Sequence, residues 1–270
     1  MNLAICSLAS GSSGNCYLVK SNNTSILVDA GLSAKQISER LLCCGVRLED
    51  LSAVLLTHEH SDHTQGIKVL LKSENIKLYT NRKTFSGTNL NLNENQVVIV
   101  KTGETFQIGD LTVSSFQNSH DAADPMGFSI SANNKTITIV TDTGFVTEEA
   151  YNNMKLADIL VLESNHDENI LKMGRYPWFL KQRILGDKGH LSNDAAAEIL
   201  QRLYKEGVWK QDLGSEAHQV LLAHLSLENN FPEMAQTTVS NILEADGVDV
   251  GRSVKLFTLS RTEPSPLFEA

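Results

Sequence analysis

The chain is poor in cysteine, with four residues in 270 and no C-x-x-C spacing between them. This sparse usage argues against a disulfide framework or a cysteine zinc site, so we expect reduced, mostly buried thiols. The first residues lack the basic segment and long apolar run of a secretory signal. No apolar run approaches the ~20 residues of a membrane span. We therefore expect a cytoplasmic protein without a membrane partner.

Positive charge is also scarce, since 23 lysines and arginines stand against 32 acidic residues, for a net charge of −9. This balance argues against nucleic-acid binding through the overall field of the protein. It does not exclude a nuclease, because bound divalent cations place positive charge where a phosphodiester would lie. Strand and helix patterns alternate along the chain, with helices predicted at about residues 64–72 and at residues 232–245, and residues 172–189 show no clean period. No linker rich in glycine, proline or serine interrupts these patterns. We predict one α/β domain over residues 1–270.

The most informative segment is residues 57–63, THEHSDH, which follows an apolar stretch at residues 53–56. Side chains alternate along an extended strand, so His58 and His60 project to the same side. The pair Asp62-His63 comes one step further round the loop and can open a helix. Two groups of ligands are enough for two metal ions. The pattern therefore predicts a metal site, with a solvated histidine-rich loop as the alternative.

Three further candidate ligands follow predicted strands. His120, Asp142 and His224 come after the strands predicted at residues 111–116, 136–140 and 220–222. Two metals need about six protein ligands, so contributions from other strand ends are required. Each histidine could instead be a satisfied core residue, and Asp142 could be a cap or turn residue.

The motif His58-x-His60-x-Asp62-His63 resembles the signature of the metallo-β-lactamase fold, whose members are mostly hydrolases with one or two metals. The resemblance implies a four-layer αββα sandwich with its ligands at strand ends along one edge of the sheets. It assigns His58, His60 and His120 to one metal, Asp62, His63 and His224 to the other, and Asp142 as the bridge. Asp29 matches the aspartate that braces the metal loop in this family through hydrogen bonds. The donor set suits Zn²⁺, the metal that we expect, and also Mn²⁺ or Fe²⁺.

His190, in Gly189-His190-Leu191-Ser192, precedes a predicted helix whose first backbone N–H groups could hold a phosphate. In the phosphodiesterase branch of the family, a histidine in this region stabilises the phosphorane or protonates the leaving oxygen. His190 resembles that residue, with a surface or capping histidine as the alternative.

A basic segment lies just upstream, where residues 172–188 hold five bases, one acid and the aromatics Tyr176, Trp178 and Phe179. Cations interleaved with stacking aromatics suit a nucleic-acid groove, although a solvated basic face is the alternative. His166 follows another strand and either lines the substrate cleft or serves as a turn residue. The residues expected to contact the substrate are Lys172, Arg175, Lys181, Arg183 and His166.

The order of the loop motifs at residues 10–15, 58–63, 120–121, 189–192 and 223–230 resembles the bacterial YycJ/VicX (WalJ) branch, regarded as DNA exonucleases. This resemblance implies a dinuclear phosphodiesterase that degrades DNA from an end, with a metal-bridging hydroxide as nucleophile. Asp62 and Asp142 would act through the metals and His190 at the leaving oxygen. The alternatives are an RNA-processing nuclease, a small-molecule hydrolase (a cyclic phosphodiesterase or a thioesterase of the glyoxalase II kind) and a regulatory binding protein that lost its chemistry.

Overall fold

Two seven-stranded sheets carry the strands of this protein, which a computed structural model describes over residues 3–73, 75–208 and 217–270. The first sheet contains β1 (Ala4–Ala9), β2 (Cys16–Lys20), β3 (Ser25–Val28), β4 (Leu51–Leu55), β5 (Lys77–Thr80), β6 (Val97–Ile99) and β14 (Phe268–Glu269). Its order is β14-β1-β2-β3-β4-β5-β6, antiparallel as far as β3 and parallel from β3 to β6. Parallel pairing brings the carboxyl ends of β3 and β4 to one edge, where Asp29 and residues 57–63 follow.

The second sheet contains β7 (Thr105–Ile108), β8 (Leu111–Gln117), β9 (Met126–Ala132), β10 (Lys135–Val140), β11 (Ile159–Glu163), β12 (His218–Ala223) and β13 (Val254–Thr258). Its order is β13-β12-β11-β10-β9-β8-β7. β11 and β12 pair in parallel, with Glu163 opposite Ala223. Every residue of β11 is buried, as expected of an apolar parallel strand covered on both faces. The register therefore buries the Glu163 carboxylate beside the residue that precedes His224.

The helices of the described residues are α1 (Ala34–Cys43), α2 (Ser61–Thr64), α3 (Ile67–Leu70), α4 (Arg82–Gly87), α5 (Glu148–Met154), α6 (Glu168–Met173), α7 (Trp178–Leu185), α8 (Asn193–Lys205) and α9 (Pro232–Ala245), with 3-10 turns at Leu48–Asp50 and Glu94–Gln96. Two of them, α8 and α9, have clear start signals in the sequence. Ser192 caps α8 by accepting a hydrogen bond from the Ala195 N–H, and α9 begins at a proline that needs no N–H there. Among the residues described, no helix has the length and apolar character to cross a membrane.

The helix predicted over residues 64–72 is wrong in its bounds, because the structure has two short helices, α2 and α3, on either side of Gly66. The Gly66 N–H donates to the Ala30 carbonyl at 2.7 Å. A Cβ at Gly66 would lie 2.5 Å from the Leu32 carbonyl oxygen. The chain needs a glycine here so that the backbone after β3 can approach closely, and that approach interrupts the helix.

The chain divides into two compact units. The first unit is Met1–Gln117, Ala122–Ile137 and Ser260–Ala270, and the second is Asn118–Asp121 and Thr138–Leu259. That residues 1–270 form a single domain stays a prediction. Of the cysteines, Cys6 and Cys16 are buried as expected, whereas Cys43 is exposed.

Candidate metal centre and active site

Asp29 organises the metal loop of the first unit from the end of β3. Its buried carboxylate accepts hydrogen bonds from the Thr57 N–H at 2.9 Å, the Thr57 hydroxyl at 2.9 Å and His63 Nδ1 at 2.8 Å. Burial raises the pKa of Asp29, and the bonds from His63 and Thr57 oppose that rise. Because the Thr57 hydroxyl donates to Asp29, it accepts from His58 Nδ1 at 2.9 Å. Asp29 therefore orients two histidines of the loop, as the sequence predicts for a bracing residue.

The candidate ligands of the loop stand in two pairs. His58 Nε2 lies 3.0 Å from His60 Nδ1, and His63 Nε2 lies 3.6 Å from Asp62 Oδ2. Two donor atoms bound tetrahedrally to one zinc ion at about 2.1 Å are about 3.4 Å apart. The loop between β4 and α2 holds the first pair, with His60 as the N-cap residue of α2, and the first turn of α2 holds the second. Each pair is therefore spaced to share one ion.

A third donor pair lies in the second unit, where Asp142 Oδ1 is 3.4 Å from His224 Nε2. Both residues have φ of +55°, and Asp29 has φ of +59°. Such a conformation costs a non-glycine residue about 1–3 kcal/mol and persists where the surroundings enforce it. In the described part of the chain the other non-glycine residues with positive φ are Asn133 and Asn134, between β9 and β10. The strain therefore marks Asp29, Asp142 and His224 as positioned side chains, independently of any motif.

Glu163 is the residue of this site that the sequence reasoning missed. Its Oε1 accepts from His190 Nδ1 at 2.7 Å and from His224 Nδ1 at 2.8 Å. Its Oε2 accepts from the Thr143 N–H at 2.8 Å. Burial alone would raise the pKa of Glu163, but the two histidines outweigh it and hold that pKa well below its ordinary value. The sequence did carry one signal for Glu163, which is an acidic residue directly after the four apolar residues of β11.

His190 faces the site with its Nδ1 held by Glu163. Burial favours the neutral ring, yet the Glu163 carboxylate outweighs it and raises the pKa of His190 to about 9. His120 lies close by, with ring centroids 5.1 Å apart. His120 Nδ1 donates to the Gly189 carbonyl at 3.2 Å, and burial lowers the pKa of His120. The second unit thus places a protonated histidine beside a neutral one.

His166 is buried just beyond β11, and neither ring nitrogen has a hydrogen-bond partner among the residues described. Burial, above all, lowers the pKa of His166 to about 4, so the ring is neutral at physiological pH. The neighbouring Asn165 side chain donates to the His224 carbonyl at 2.8 Å. In the segment after β11, Asn165 therefore supports the candidate ligand His224, and His166 has two ring nitrogens without a hydrogen-bond partner among the residues described.

The basic segment predicted at residues 172–188 covers the end of α6 and the whole of α7, and we call these two helices the arm (residues 168–185). Lys172 pairs with Glu168 at 2.5 Å, and Arg183 pairs with Asp121 at 2.6 Å. Lys181 is buried, and its Nζ donates to the carbonyls of Lys172 and Gly174, both at 2.7 Å. Lys181 thus joins α7 to the end of α6. Among the predicted substrate contacts it is the lysine whose ammonium is bonded to backbone carbonyls of the arm.

The residues present fit divalent metal ions. In each of His58, His63 and His224 the Nδ1 is engaged by a hydroxyl or carboxylate, which fixes the orientation of the ring and makes Nε2 the candidate ligand atom. Asp142, Glu163, His190 and His224 also converge, with candidate ligand atoms within 4.8 Å of one another. Imidazole nitrogens and carboxylate oxygens without sulfur form the donor set of Zn²⁺, Mn²⁺ or Fe²⁺ hydrolase sites.

Comparisons with known proteins give matches along most of the chain. Residues 24–209 match the Beta-lactamase superfamily domain. The chain is 39% identical to exodeoxyribonuclease YycJ of Bacillus anthracis over 98% of this chain and 97% of the relative. It is also 39% identical to exodeoxyribonuclease WalJ of Streptococcus pneumoniae serotype 2 over 97% of this chain and 96% of that one. The metallo-β-lactamase fold protein YhfI from Bacillus subtilis superposes with a TM-score of 0.70 at 16% identity, covering 98% of this chain and 99% of that one. The predicted fold class is confirmed.

Proposed function

This chain belongs to the metallo-β-lactamase superfamily, in its YycJ/WalJ type, and from that membership we propose that it is a metal-dependent exodeoxyribonuclease. The observation that carries the proposal is 39% identity, over almost the full length, to proteins named exodeoxyribonucleases. The donor pairs at the strand ends support it, because each is spaced for a shared ion.

We propose two metal ions, with Zn²⁺ preferred and Mn²⁺ or Fe²⁺ as alternatives. The ligands are those that the family resemblance assigns: His58, His60 and His120 for one ion, Asp62, His63 and His224 for the other, and Asp142 shared. Bound there, the ions would supply a shared hydroxide as nucleophile and neutralise the negative charge of the attacked phosphate. Asp29 and Glu163 keep the imidazole rings in the tautomers that ligation requires.

His190 supplies the proton chemistry of the proposed reaction. Its Nδ1–H is held by Glu163, so Nε2–H can point to the substrate. With a pKa raised to about 9, the ring carries its proton at neutral pH. It can stabilise the extra charge on the phosphate and donate that proton to the leaving alkoxide.

Substrate contacts are proposed at Lys172, Arg175, Arg183 and His166. Lys181 takes an indirect part, because its ammonium is used to hold the two helices of the arm together. The exposed ion pairs of Lys172 and Arg183 are weak, so a phosphate can replace their acidic partners.

The proposal is tested with purified protein, added Zn²⁺ or Mn²⁺ and end-labelled DNA, with Asp142→Ala as the control. We expect stepwise shortening by the wild type alone, abolished by a chelator and restored by metal. If the metal-loaded wild type leaves DNA intact but cuts RNA or a thioester, the proposed substrate is wrong. If it takes up no metal, the proposed centre is wrong.

A further inference from the structure

Two large aromatic side chains stand in solvent at the start of α7, and we call Trp178 and Phe179 the aromatic platform. Trp178 is 64% exposed and Phe179 is 72% exposed. Lys181, on the same helix, is only 8% exposed. Large apolar side chains clustered in solvent, beside a buried lysine, point to a contact surface.

The positive charge of the arm is largely engaged within the protein. Lys172 and Arg183 are paired with carboxylates, and Lys181 is bonded to two backbone carbonyls. The pairs of Lys172 and Arg183 are exposed and weak, so these two cations can still contact phosphates, whereas Lys181 cannot. This arm presents aromatic faces, which bind the faces of nucleobases with little dependence on sequence.

The platform is connected to His190 through α7 and the turn that follows it. Arg183 holds α7 to Asp121, the neighbour of His120. Beyond α7, the His190 N–H donates to the Ile184 carbonyl at 3.0 Å, so the chain folds back onto the helix before the site. An eight-residue helix is about 12 Å long. That length corresponds to at most three or four nucleotides, because about 3.4 Å is the rise in a fully stacked strand and an unstacked strand is longer.

Resting on the proposed function, we propose that Trp178 and Phe179 stack on unpaired bases of the substrate strand, a few nucleotides from the phosphodiester at His190. Bases inside a duplex already stack on their neighbours, so only unpaired bases offer free faces to an aromatic side chain. The substrate strand is therefore single-stranded where it crosses the arm. The enzyme would degrade single strands, or duplex ends opened over that length, faster than closed duplex ends.

Trp178→Ala and Phe179→Ala test this, with Leu156→Ala as a matched control. Leu156 is 68% exposed and precedes the amino end of β11, whereas Glu163 lies at its carboxyl end. We expect each platform variant to lose about 5- to 150-fold in kcat/KM on a labelled single-stranded oligonucleotide. Hydrolysis of bis(4-nitrophenyl) phosphate, too small to reach the arm, should stay unchanged, as should both activities of Leu156→Ala.

Binding is measured separately from catalysis by the fluorescence of Trp178. The sequence has two tryptophans, so Trp209→Phe leaves Trp178 as the sole reporter. In metal-free protein we expect an unpaired oligothymidylate to quench the emission and a blunt hairpin without a tail to leave it unchanged.

Four results would overturn the proposal: unchanged single-strand kcat/KM in both platform variants, an equal loss on the small ester, equal quenching by the blunt hairpin, or conversion of a dimer to a monomer by Trp178→Ala in light scattering. The last would make the platform a contact between copies of this chain. If the wild type hydrolyses neither DNA nor the small ester, the proposed function fails, and the quenching experiment still decides the platform.

Discussion

Replacing Glu163 with glutamine removes one negative charge and one acceptor from the centre of the second unit. The carboxylate now accepts from His190 Nδ1, His224 Nδ1 and the Thr143 N–H. A glutamine has a single acceptor oxygen, and its NH₂ group would face one of these donors. We expect Glu163→Gln to fold, with His190 no longer held in its protonated form.

The size of the effect follows from the pKa of His190. Its rise from 6.5 to about 9 corresponds to about 3 kcal/mol in favour of the charged ring, because Glu163, assisted by Asp142 and Asp121, outweighs the opposing effect of burial. A histidine with a raised pKa keeps its proton below that pKa and loses it as the pH rises through it. At pH 8 about 90% of the rings would be protonated in the wild type, against about 3% for a ring at 6.5. We therefore expect a loss of about 30-fold in DNA cleavage at pH 8 and much less at pH 6.

The assay is kcat/KM on a single-stranded oligonucleotide from pH 5.5 to 10, with bis(4-nitrophenyl) phosphate in parallel. The nitrophenolate departs without a proton, so its release should lose little in Glu163→Gln. Glu244→Gln, an exposed acid on α9, serves as the matched control. Metal content is measured for all proteins, because Glu163 also holds the ligand candidate His224.

The high-pH limb of the DNA profile decides the outcome. If Glu163→Gln keeps that limb near pH 9, the carboxylate does not set the pKa of His190. If both substrates lose equally at full metal content, Glu163 supports the site structurally and the proton role of His190 is refuted.

Four further substitutions test other parts of the site. Asp29→Ala should lower metal affinity by about 10- to 100-fold in a chelator competition, because the loop loses its bracing carboxylate, and unchanged affinity would contradict that role. His190→Ala should lose about 10²–10⁴-fold in kcat on DNA with metal content unchanged, whereas full activity would exclude it from proton transfer. Gly31→Ala would place a Cβ 1.6 Å from the Asp62 carbonyl oxygen, so we expect about 3 kcal/mol of destabilisation by urea unfolding, and none if the backbones do not meet. Lys181→Met leaves two carbonyls without their donor, so amide exchange in α6 and α7 should accelerate, and equal exchange rates would show that the ammonium is dispensable.

Where start and stop signals were local, the sequence predicted the elements closely. The predicted helix at residues 232–245 coincides with α9, because a proline opens it and Gly247 follows its end. The helix predicted at 64–72 failed because the requirement at Gly66 comes from Ala30 and Leu32, more than thirty residues away. Residues 172–189 showed no clean period because they combine the end of α6, a turn that ends at Pro177 and the eight residues of α7.

The sequence by itself determined the donor pairs within residues 58–63. Residue order in the short loop between β4 and α2 fixes which neighbouring side chains share a side, and Asp29 then orients the rings. The spacing of 3.0 Å between His58 and His60 nitrogens agrees with that alternation. The candidates at other strand ends followed from the rule that a buried strand ends where polar side chains resume.

Only the tertiary structure decided what Glu163 and Lys181 do. Glu163 meets His190 and His224, which are 27 and 61 residues away, through the parallel register of β11 with β12. Lys181 looks like a surface base, yet the fold of the arm buries its ammonium against carbonyls at the end of α6. Side-chain spacing along a strand or helix is a local property that residue order specifies. The partner of a buried charge depends on which elements become neighbours, and that is settled only when the chain packs.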